Sequence, residues 1–279
     1  MKVLTKFIES KDGLTMIKAQ AQTSNGWQYK YFVIDTGATT SLFSPEVCKA
    51  KKKCDSIADL NGNILISERC TAILSLADKN MSIDGHVVDY DTLPKIEGKR
   101  LSGLLGVDFF IKNRVILDFD NDGMYLKESC KDEINKLPFV PMKIGLNGFL
   151  VPTISINCNN REFSFIVDTG ATSNIITPTV YDSGKGIKNV GTYIVKGIAS
   201  NHLAKEYELD FQIKMSYAGR LAKHVFLDVF TFIEPGSAFG KSSVLNAVHG
   251  LIGNDFIHKH KWIIDFAEGK IFRKLERTC

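Results

Sequence analysis

Apolar and polar residues alternate over short stretches of this chain, which is the pattern of half-buried β-strands. Residues 17–21 and 154–156 carry apolar side chains at every second position. Two apolar runs, at 32–34 and 165–167, predict buried strands that each lead into a turn. Helical periodicity is scarce. The pattern therefore predicts an all-β protein built from short strands and turns.

Two dipeptides mark where a short helix or turn begins. Ser44-Pro45 and Thr177-Pro178 each place a hydroxyl residue directly before a proline. A hydroxyl oxygen accepts hydrogen bonds from the first turn of a helix, and proline suits the first helical position. We expect a hydroxyl-capped helix or turn at both places.

An internal repeat decides how the chain is organised. FVIDTGATTSLFSPEVC, residues 32–48, returns 133 positions later as FIVDTGATSNIITPTVY, residues 165–181. GLLGVDFFIKNRVILDF, residues 103–119, returns 147 positions later as GLIGNDFIHKHKWIIDF, residues 250–266. Matched motifs followed by matched downstream segments indicate a duplication that covers nearly the whole chain.

The repeat predicts two similar lobes, residues 1–137 and residues 138–279. Their join falls in the segment LPFVPM, where Pro138 and Pro141 interrupt regular structure.

Composition narrows the class of protein. The chain has 279 residues, of which 44% are hydrophobic and 24% are charged, and its net charge is +4. These values exclude disordered and fibrous classes, and no segment concentrates enough positive charge for nucleic acid. No apolar stretch approaches the ~20 residues that span a bilayer. We therefore expect no nucleic-acid partner and no membrane association.

Cysteine usage and the N-terminus bear on localisation. The residues MKVLTKFIESKDG lack the apolar run of a secretory signal, so the expected localisation is cytoplasmic, or secreted or periplasmic if a leading segment had been removed. The cysteines show no zinc-binding spacing, and we expect buried or free thiols and no metal. The six cysteines are Cys48, Cys54, Cys70, Cys130, Cys158 and Cys279.

The repeated motif carries the candidate chemistry. An aspartate on a tight turn after a buried strand is held rigidly, and the glycine after Asp-Thr lets the backbone approach a partner closely. Two such turns from symmetry-related lobes can place Asp35 and Asp168 face to face. Two carboxylates at that range share one proton, so the pair contains both an acid and a base. This is the equipment for adding water to an amide without a covalent intermediate.

The chain resembles the pepsin and retropepsin clan of aspartic proteases, and more specifically a bacterial retropepsin-like protein with two lobes on one polypeptide. The resemblance rests on Asp-Thr-Gly-Ala-Thr occurring twice and on the later triplets Leu104-Leu105-Gly106 and Leu251-Ile252-Gly253. It implies two six-stranded-type β-barrel lobes related by a pseudo-twofold axis, with the active site at the lobe interface. It also implies peptide or protein substrates, no cofactor and activity as a monomer.

The resemblance assigns roles residue by residue. Asp35 and Asp168 would be the catalytic pair, and Gly106 and Gly253 would lie where a downstream strand passes beneath each catalytic loop. The supporting loop residues would be Thr36, Gly37, Ala38, Thr169, Gly170 and Ala171, with the two threonine hydroxyls bonding across the lobe interface. The flap and substrate-binding positions would be Asn61, Gly62, Gly197 and Ile198.

The chain departs from the pepsin pattern at one informative place. Ala38 and Ala171 stand where pepsin-like enzymes usually carry a hydroxyl that stabilises the charged carboxylate, and in this the chain is similar to retropepsins. Losing that donor raises the apparent pKa values of the pair. We expect an activity optimum less acidic than that of pepsin.

Two functions follow from these observations. The first is an aspartic endopeptidase that activates water between Asp35 and Asp168. The alternative is a catalytically silent protein that keeps the protease fold and binds or regulates peptides. Two complete motifs favour the enzyme, whereas the weak glycine content of the flap regions favours the binding protein.

Two other signals are weaker. Asp118, Asp120, Asp122 and Gly123 imitate the start of a calcium loop, but Ser129 stands where a bidentate glutamate is needed. We expect a plain strand-turn-strand there. Residues 258–261, His-Lys-His-Lys, could suggest metal or phosphate contacts, but a basic hairpin edge is the preferred interpretation.

Overall fold

The prediction of an all-β protein is confirmed. In a computed structural model of the chain, 59% of residues are in strands and 10% in helices, and the fold contains a closed six-strand barrel with further strands. The structure describes residues 3–11, 13–48, 50–58, 64–89, 93, 95–130, 134–146, 148–158, 161–181, 187–196, 201–209, 212–218, 223–228, 231–233 and 247–274. Within these it describes the backbone alone for residues 50–53, 58, 64, 158, 178, 181, 187–190, 193–196, 201–205, 207–209, 212–213, 223–228 and 231–233.

Short strands make up both halves. Those of the first half are β1 Val3–Glu9, β2 Thr15–Thr23, β3 Gly26–Ile34, β4 Ser41–Phe43, β5 Ala50–Ala58, β6 Ile64–Leu76, β7 Lys79–Val87, β8 Lys95–Ile96, β9 Lys99–Arg100, β10 Gly103–Leu105, β11 Val115–Asp118 and β12 Gly123–Leu126. Those of the second half are β13 Phe139–Pro141, β14 Lys143–Leu146, β15 Phe149–Cys158, β16 Arg161–Val167, β17 Asn174–Ile176, β18 Ile187–Lys196, β19 Asn201–Leu209, β20 Gln212–Tyr217, β21 Lys223–Asp228, β22 Thr231–Ile233, β23 Gly250–Ile252, β24 Ile263–Asp265 and β25 Lys270–Phe272. Within the described ranges the helices are α1 Val107–Lys112, α2 Pro178–Tyr181 and α3 Asn254–Lys259, and a 3-10 turn spans Lys127–Ser129.

The closed barrel belongs to the first half. Its strands follow the order β2, β3, β10, β4, β7 and β6, and pairing of Ala21 with Leu74 joins β6 back to β2. In the second half, β15, β16, β23, β17 and β22 stand in the same order as β2, β3, β10, β4 and β7. The relative directions agree as well, because β10 and β23 run parallel to β3 and β16 and antiparallel to β4 and β17.

A shared sheet connects the two halves. Strand β11 pairs antiparallel with β24, so that Ile116 lies opposite Asp265. Strand β25 extends this ladder to β13. The shared sheet thus contains strands from both sides of the predicted join at residue 137. The lobe boundary itself stays a prediction.

Buried apolar side chains from both halves form one continuous core. It includes Phe32 from β3, Phe165 from β16 and Trp262 after α3, all with no exposed surface. The apolar runs that predict buried strands supply Phe32 and Phe165, because a strand covered on both faces needs apolar side chains at successive positions.

The structure corrects three details of the sequence analysis, and the first concerns the helix caps. A turn does begin at Ser44 and helix α2 does begin at Pro178. The predicted hydroxyl cap is wrong at Ser44, however. The Ser44 hydroxyl has no partner among the described atoms, and the Thr177 hydroxyl donates to the carbonyl of His249.

The second correction concerns residues 258–261. They were expected at a hairpin edge, but His258 and Lys259 form the last turn of α3, and Lys261 adopts a left-handed φ of 51° before β24. Phe256 and Ile257 are buried and hold this helix against the core. A helix of six residues is too short for its periodicity to show in the sequence.

The third correction concerns the cysteines. Cys48 and Cys70 form a disulfide, with their Cα atoms 5.8 Å apart, so the expectation of free thiols is wrong for these two. Cys54 is a free exposed thiol, and the Cys130 thiol is buried next to the Ser129 hydroxyl. The disulfide ties the turn after β4 to β6 of the barrel.

None of the helices in the described part of the chain has the length and apolar character needed to span a bilayer.

Replacing Cys48 with serine should destabilise the protein markedly. The bond joins residues 22 positions apart. Without this cross-link the unfolded chain gains conformational entropy, which lowers the free energy of unfolding by roughly 3 kcal/mol. That loss corresponds to a decrease of about 6–12 °C in Tm. Cys54→Ser is the matched control because its thiol is free and exposed. Thermal unfolding of both variants without reductant tests this, and equal Tm values for the two would contradict the bond.

Candidate active site

Two strand ends position the candidate aspartates. Asp35 follows β3 and Asp168 follows β16, and each is held by the parallel strand beside it. The backbone N–H of Asp35 donates to the carbonyl of Leu105 at 3.0 Å. The N–H of Asp168 donates to the carbonyl of Ile252 at 2.9 Å. Strands β10 and β23 therefore fix where the two loops begin.

Backbone donors within each loop orient the carboxylates. In the first loop, the N–H groups of Gly37 and Ala38 both donate to Oδ1 of Asp35 at 3.0 Å. In the second loop, the N–H of Gly170 donates to Oδ1 of Asp168 at 2.8 Å. These bonds stabilise the charged form of each group and hold it in one orientation.

The threonines join the two loops reciprocally. The N–H of Thr36 donates to the Thr169 hydroxyl at 3.1 Å, and the N–H of Thr169 donates to the Thr36 hydroxyl at 3.0 Å. Each hydroxyl also donates across the interface, Thr36 to the carbonyl of Val167 and Thr169 to that of Ile34. Both side chains are fully buried. Four buried hydrogen bonds therefore lock one loop to the other.

Glycine is needed where each loop touches the opposite carboxylate. A side-chain carbon on Gly37 would overlap the carboxylate of Asp168, and one on Gly170 would overlap that of Asp35. The structure thus brings Asp35 and Asp168 together, each against the glycine of the other loop. Ala38 and Ala171 lie directly after these glycines, and no hydroxyl is present there to bond the carboxylates.

Burial and mutual repulsion set the protonation of the pair. Burial raises the pKa of Asp35 well above its ordinary value, and the charge of Asp168 raises it further. Burial also raises the pKa of Asp168. The hydrogen bond between the two carboxyl groups raises the pKa of Asp35 and lowers that of Asp168. The overall shifts of both pKa values act in the same direction, so the two carboxyl groups share one proton as a pair.

Gly106 and Gly253 lie where the downstream strands pass the loops. A side chain on Gly106 would press on the backbone of Thr40, and one on Gly253 on the backbone of Ser173. The next N–H groups, those of Val107 and Asn254, donate to the carbonyls of Ala38 and Ala171.

Sequence reasoning missed a supporting shell of polar side chains. Ser41 accepts from the N–H of Gly106 at 3.0 Å and donates to Asp108 at 2.8 Å. In the second half, Asn174 accepts from the N–H of Gly253 at 2.9 Å. A signal existed for Asp108 alone, because aspartate recurs at 255 in the repeat.

The predicted flap positions cannot be placed. Asn61 and Gly62 fall between the paired strands β5 and β6, and Gly197 and Ile198 between β18 and β19, but all four lie outside the described residues.

Metal ligands do not converge in the described ranges, where no group of three or more His, Cys, Asp or Glu side chains could hold an ion. The calcium-like segment forms the turn between β11 and β12. Asp118 accepts bonds from the N–H groups of Asp120 and Asn121 and from the Asn121 side chain.

Comparison with known proteins shows the fold of this chain but not its family or its activity. No protein-family model and no curated protein sequence matches the chain. Among 378 matching solved chains is the crystal structure of basic 7S globulin from soybean, with a TM-score of 0.58 and 9% sequence identity. The match covers 97% of this chain and 94% of that chain. The fold is pepsin-like.

Replacing either buried threonine with valine should weaken the junction. Each hydroxyl donates one hydrogen bond and accepts another, and valine leaves a buried backbone N–H without an acceptor. We therefore expect the free energy of unfolding to fall by roughly 3 kcal/mol. Thr36→Ser and Thr169→Ser keep the hydroxyl and should lose about 1 kcal/mol. Urea unfolding measures the difference. Thr153→Val is the control, because that buried hydroxyl makes only a 3.4 Å bond, and equal effects at all three sites would refute the cross-loop role.

Proposed function

We propose that this protein is an aspartic endopeptidase in which Asp35 and Asp168 activate water against a peptide bond. One observation carries the proposal: the partly buried Asp35 and the buried Asp168 each lie against the glycine of the other's loop, and burial raises the pKa of both. Perturbed, paired carboxyl groups are typical of catalytic sites, where one must act as an acid and the other as a base.

In the proposed reaction the shared proton starts on Asp35, and a start on Asp168 would exchange the two roles. A water molecule between the carboxyl groups loses a proton to ionised Asp168 while its oxygen attacks the carbonyl carbon. The proton of Asp35 moves to the carbonyl oxygen, which gives a neutral tetrahedral diol. When the C–N bond breaks, the nitrogen takes a proton from Asp168 and a hydroxyl proton returns to Asp35. The pair ends as it began, with one proton and no covalent intermediate.

The substrate is an extended peptide or protein segment, and one chain is sufficient for activity. Both aspartates and both threonines come from the same polypeptide, so no dimer is required to complete the pair.

Matching geometry in the two halves supports a duplicated origin. Helices α1 and α3 begin 147 positions apart, and each is followed by a residue with left-handed φ of 51°, Arg114 and Lys261. We infer that the two halves are copies of one unit that have diverged outside the site.

The disulfide favours an oxidising compartment over the cytoplasm. Disulfides such as Cys48–Cys70 persist mainly in secreted or periplasmic proteins. Export is therefore the localisation that we propose.

Replacing either aspartate with asparagine should abolish hydrolysis and stabilise the fold. Asparagine cannot shuttle the proton, so turnover of a mixed peptide library should fall at least about 1000-fold. Because both folded pKa values are raised, the stability cost is absent at acid pH and grows as pH rises above about 4. Asp168→Asn should therefore raise Tm at pH 7 by about 3 °C, and less at pH 4.

Exposed Asp89 provides the control. Asp89→Asn should leave cleavage unchanged, and a statine-type inhibitor should stop cleavage by the wild type. Saturable peptide binding without any product would favour the silent binding protein instead. Cleavage that persists in Asp35→Asn would assign the chemistry to another site.

The activity optimum should be less acidic than that of pepsin. Activity requires one proton on the pair, and raising both pKa values moves that window to higher pH. The absence of a hydroxyl at Ala38 and Ala171 acts in the same direction. A pH-rate profile with a single peptide substrate measures this. An optimum below about pH 3 would contradict the prediction.

A further inference from the structure

A chain of polar side chains joins the second catalytic loop to the first half of the molecule. Asn254 begins α3, and its side-chain N–H donates to the carbonyl of Gly13 at 2.7 Å. Oδ1 of Asn254 lies 3.2 Å from the Thr15 hydroxyl, which lies 2.8 Å from Nε2 of His258. Nδ1 of His258 lies 3.0 Å from Oε1 of Glu9. The first half has Val107 and Ile111 in place of Asn254 and His258, so this series of hydrogen bonds has no counterpart there.

This series of polar side chains contacts the loop that carries Asp168. The backbone N–H of Asn254 donates to the carbonyl of Ala171 at 2.7 Å. On the opposite side, Gly13 lies against Thr172, the next residue of that loop. Gly13 belongs to an N-terminal turn in which its own N–H donates to the carbonyl of Ser10 and the N–H of Leu14 donates to the Ser10 hydroxyl. Asn254 therefore bridges this N-terminal turn and the loop.

This series of hydrogen bonds lacks one donor hydrogen unless a proton is added. A carbonyl only accepts, so Gly13 fixes the orientation of the Asn254 amide and leaves buried Oδ1 in need of a donor. The Thr15 hydroxyl has one hydrogen. If His258 is neutral with its proton on Nδ1 toward Glu9, that hydrogen goes to Nε2 and Oδ1 is unsatisfied.

One added proton allows every hydrogen bond in this series to form. With His258 protonated on both nitrogens, Nε2 donates to Thr15, and Thr15 donates to Asn254. If His258 instead carries its single proton on Nε2, bare Nδ1 faces Glu9, which must then hold a proton. Keeping the contacts Glu9–His258, His258–Thr15 and Thr15–Asn254 all at once thus requires one more proton on the Glu9–His258 pair.

The surroundings of His258 allow this proton to enter from solvent. Glu9 is 61% exposed, whereas the His258 side chain is 15% exposed. Burial lowers the pKa of His258, and the carboxylates of Glu9 and Asp122 act against that. The ring of Phe119 packs edge-on at 4.7 Å and carries no charge. Proton uptake therefore belongs to the acidic range.

We propose that Asn254 is a positioning residue for the loop that carries Asp168, and that a proton taken up by the Glu9–His258 pair strengthens its hold on the N-terminal turn. The catalytic consequence rests on the proposed function, but the proton link does not. Acidification thus braces one side of the site in the pH range where an aspartic pair works.

Nuclear magnetic resonance of the whole protein tests the link without any substrate. The His258 ring signals, followed against pH, should show that Asn254→Val lowers its proton affinity about threefold to tenfold, because only the protonated form gains from Asn254. The amide signals of Ala171 and Thr172 should show a step at the His258 midpoint in the wild type. Thr15→Val and Asn254→Val should lose that step, and Thr15→Ser should keep it.

Controls and activity separate this inference from the proposed function. Asn113→Val and Thr153→Val remove similar groups elsewhere and should leave both signals unchanged. With a peptide substrate, Thr15→Val should lower kcat about threefold below the His258 midpoint and leave kcat unchanged above it. No amide step in the wild type, or a step that persists in Thr15→Val, would overturn the proton link. A normal step with no hydrolysis at any pH would overturn the proposed function and leave the link standing.

Discussion

Two carboxyl groups that share one proton repel each other once both are charged, and the loops that carry them must be held against that repulsion. In this protein the restraint is the reciprocal pair Thr36 and Thr169, whose hydroxyl and amide groups make four buried hydrogen bonds across the interface. Buried bonds of this kind are costly to break one at a time, because each leaves an unsatisfied partner. Directly after these threonines, Gly37 and Gly170 lie against the opposite carboxylates, where a side-chain carbon would not fit.

Other contacts also hold the two halves together. The ladder between β11 and β24 crosses from one half to the other, and beside it the fully buried side chain of Lys127 pairs with Asp265 at 2.6 Å. Asp265 also accepts bonds from the backbone of Ala267 and Glu268, so its buried charge is well satisfied. Removing Lys127 would leave the buried Asp265 carboxylate without its ion-pair partner, which makes this contact a determinant of how the halves fit.

The two halves are alike in backbone and unlike in side chains around the site. The same N–H to carbonyl bond ties Val107 to Ala38 and Asn254 to Ala171, yet only Asn254 reaches across to the other half. A pepsin-like fold is compatible with several functions, since function depends on the site rather than on the scaffold. The likeness to soybean basic 7S globulin therefore bears on the fold, and the case for hydrolysis depends on the aspartate pair.

The sequence alone determined the all-β class and the candidates Asp35, Asp168 and their neighbouring threonines, because a local strand and turn motif appears twice and local patterns can be read from adjacent residues. Only the tertiary structure decided the Cys48–Cys70 bond, the helix at 254–259 and the chain through Thr15 and Asn254. Thr15 and Asn254 are 239 positions apart, and no periodicity links them. Their meeting depends on how the sheets close, and that is settled by packing of the whole core rather than by any one segment.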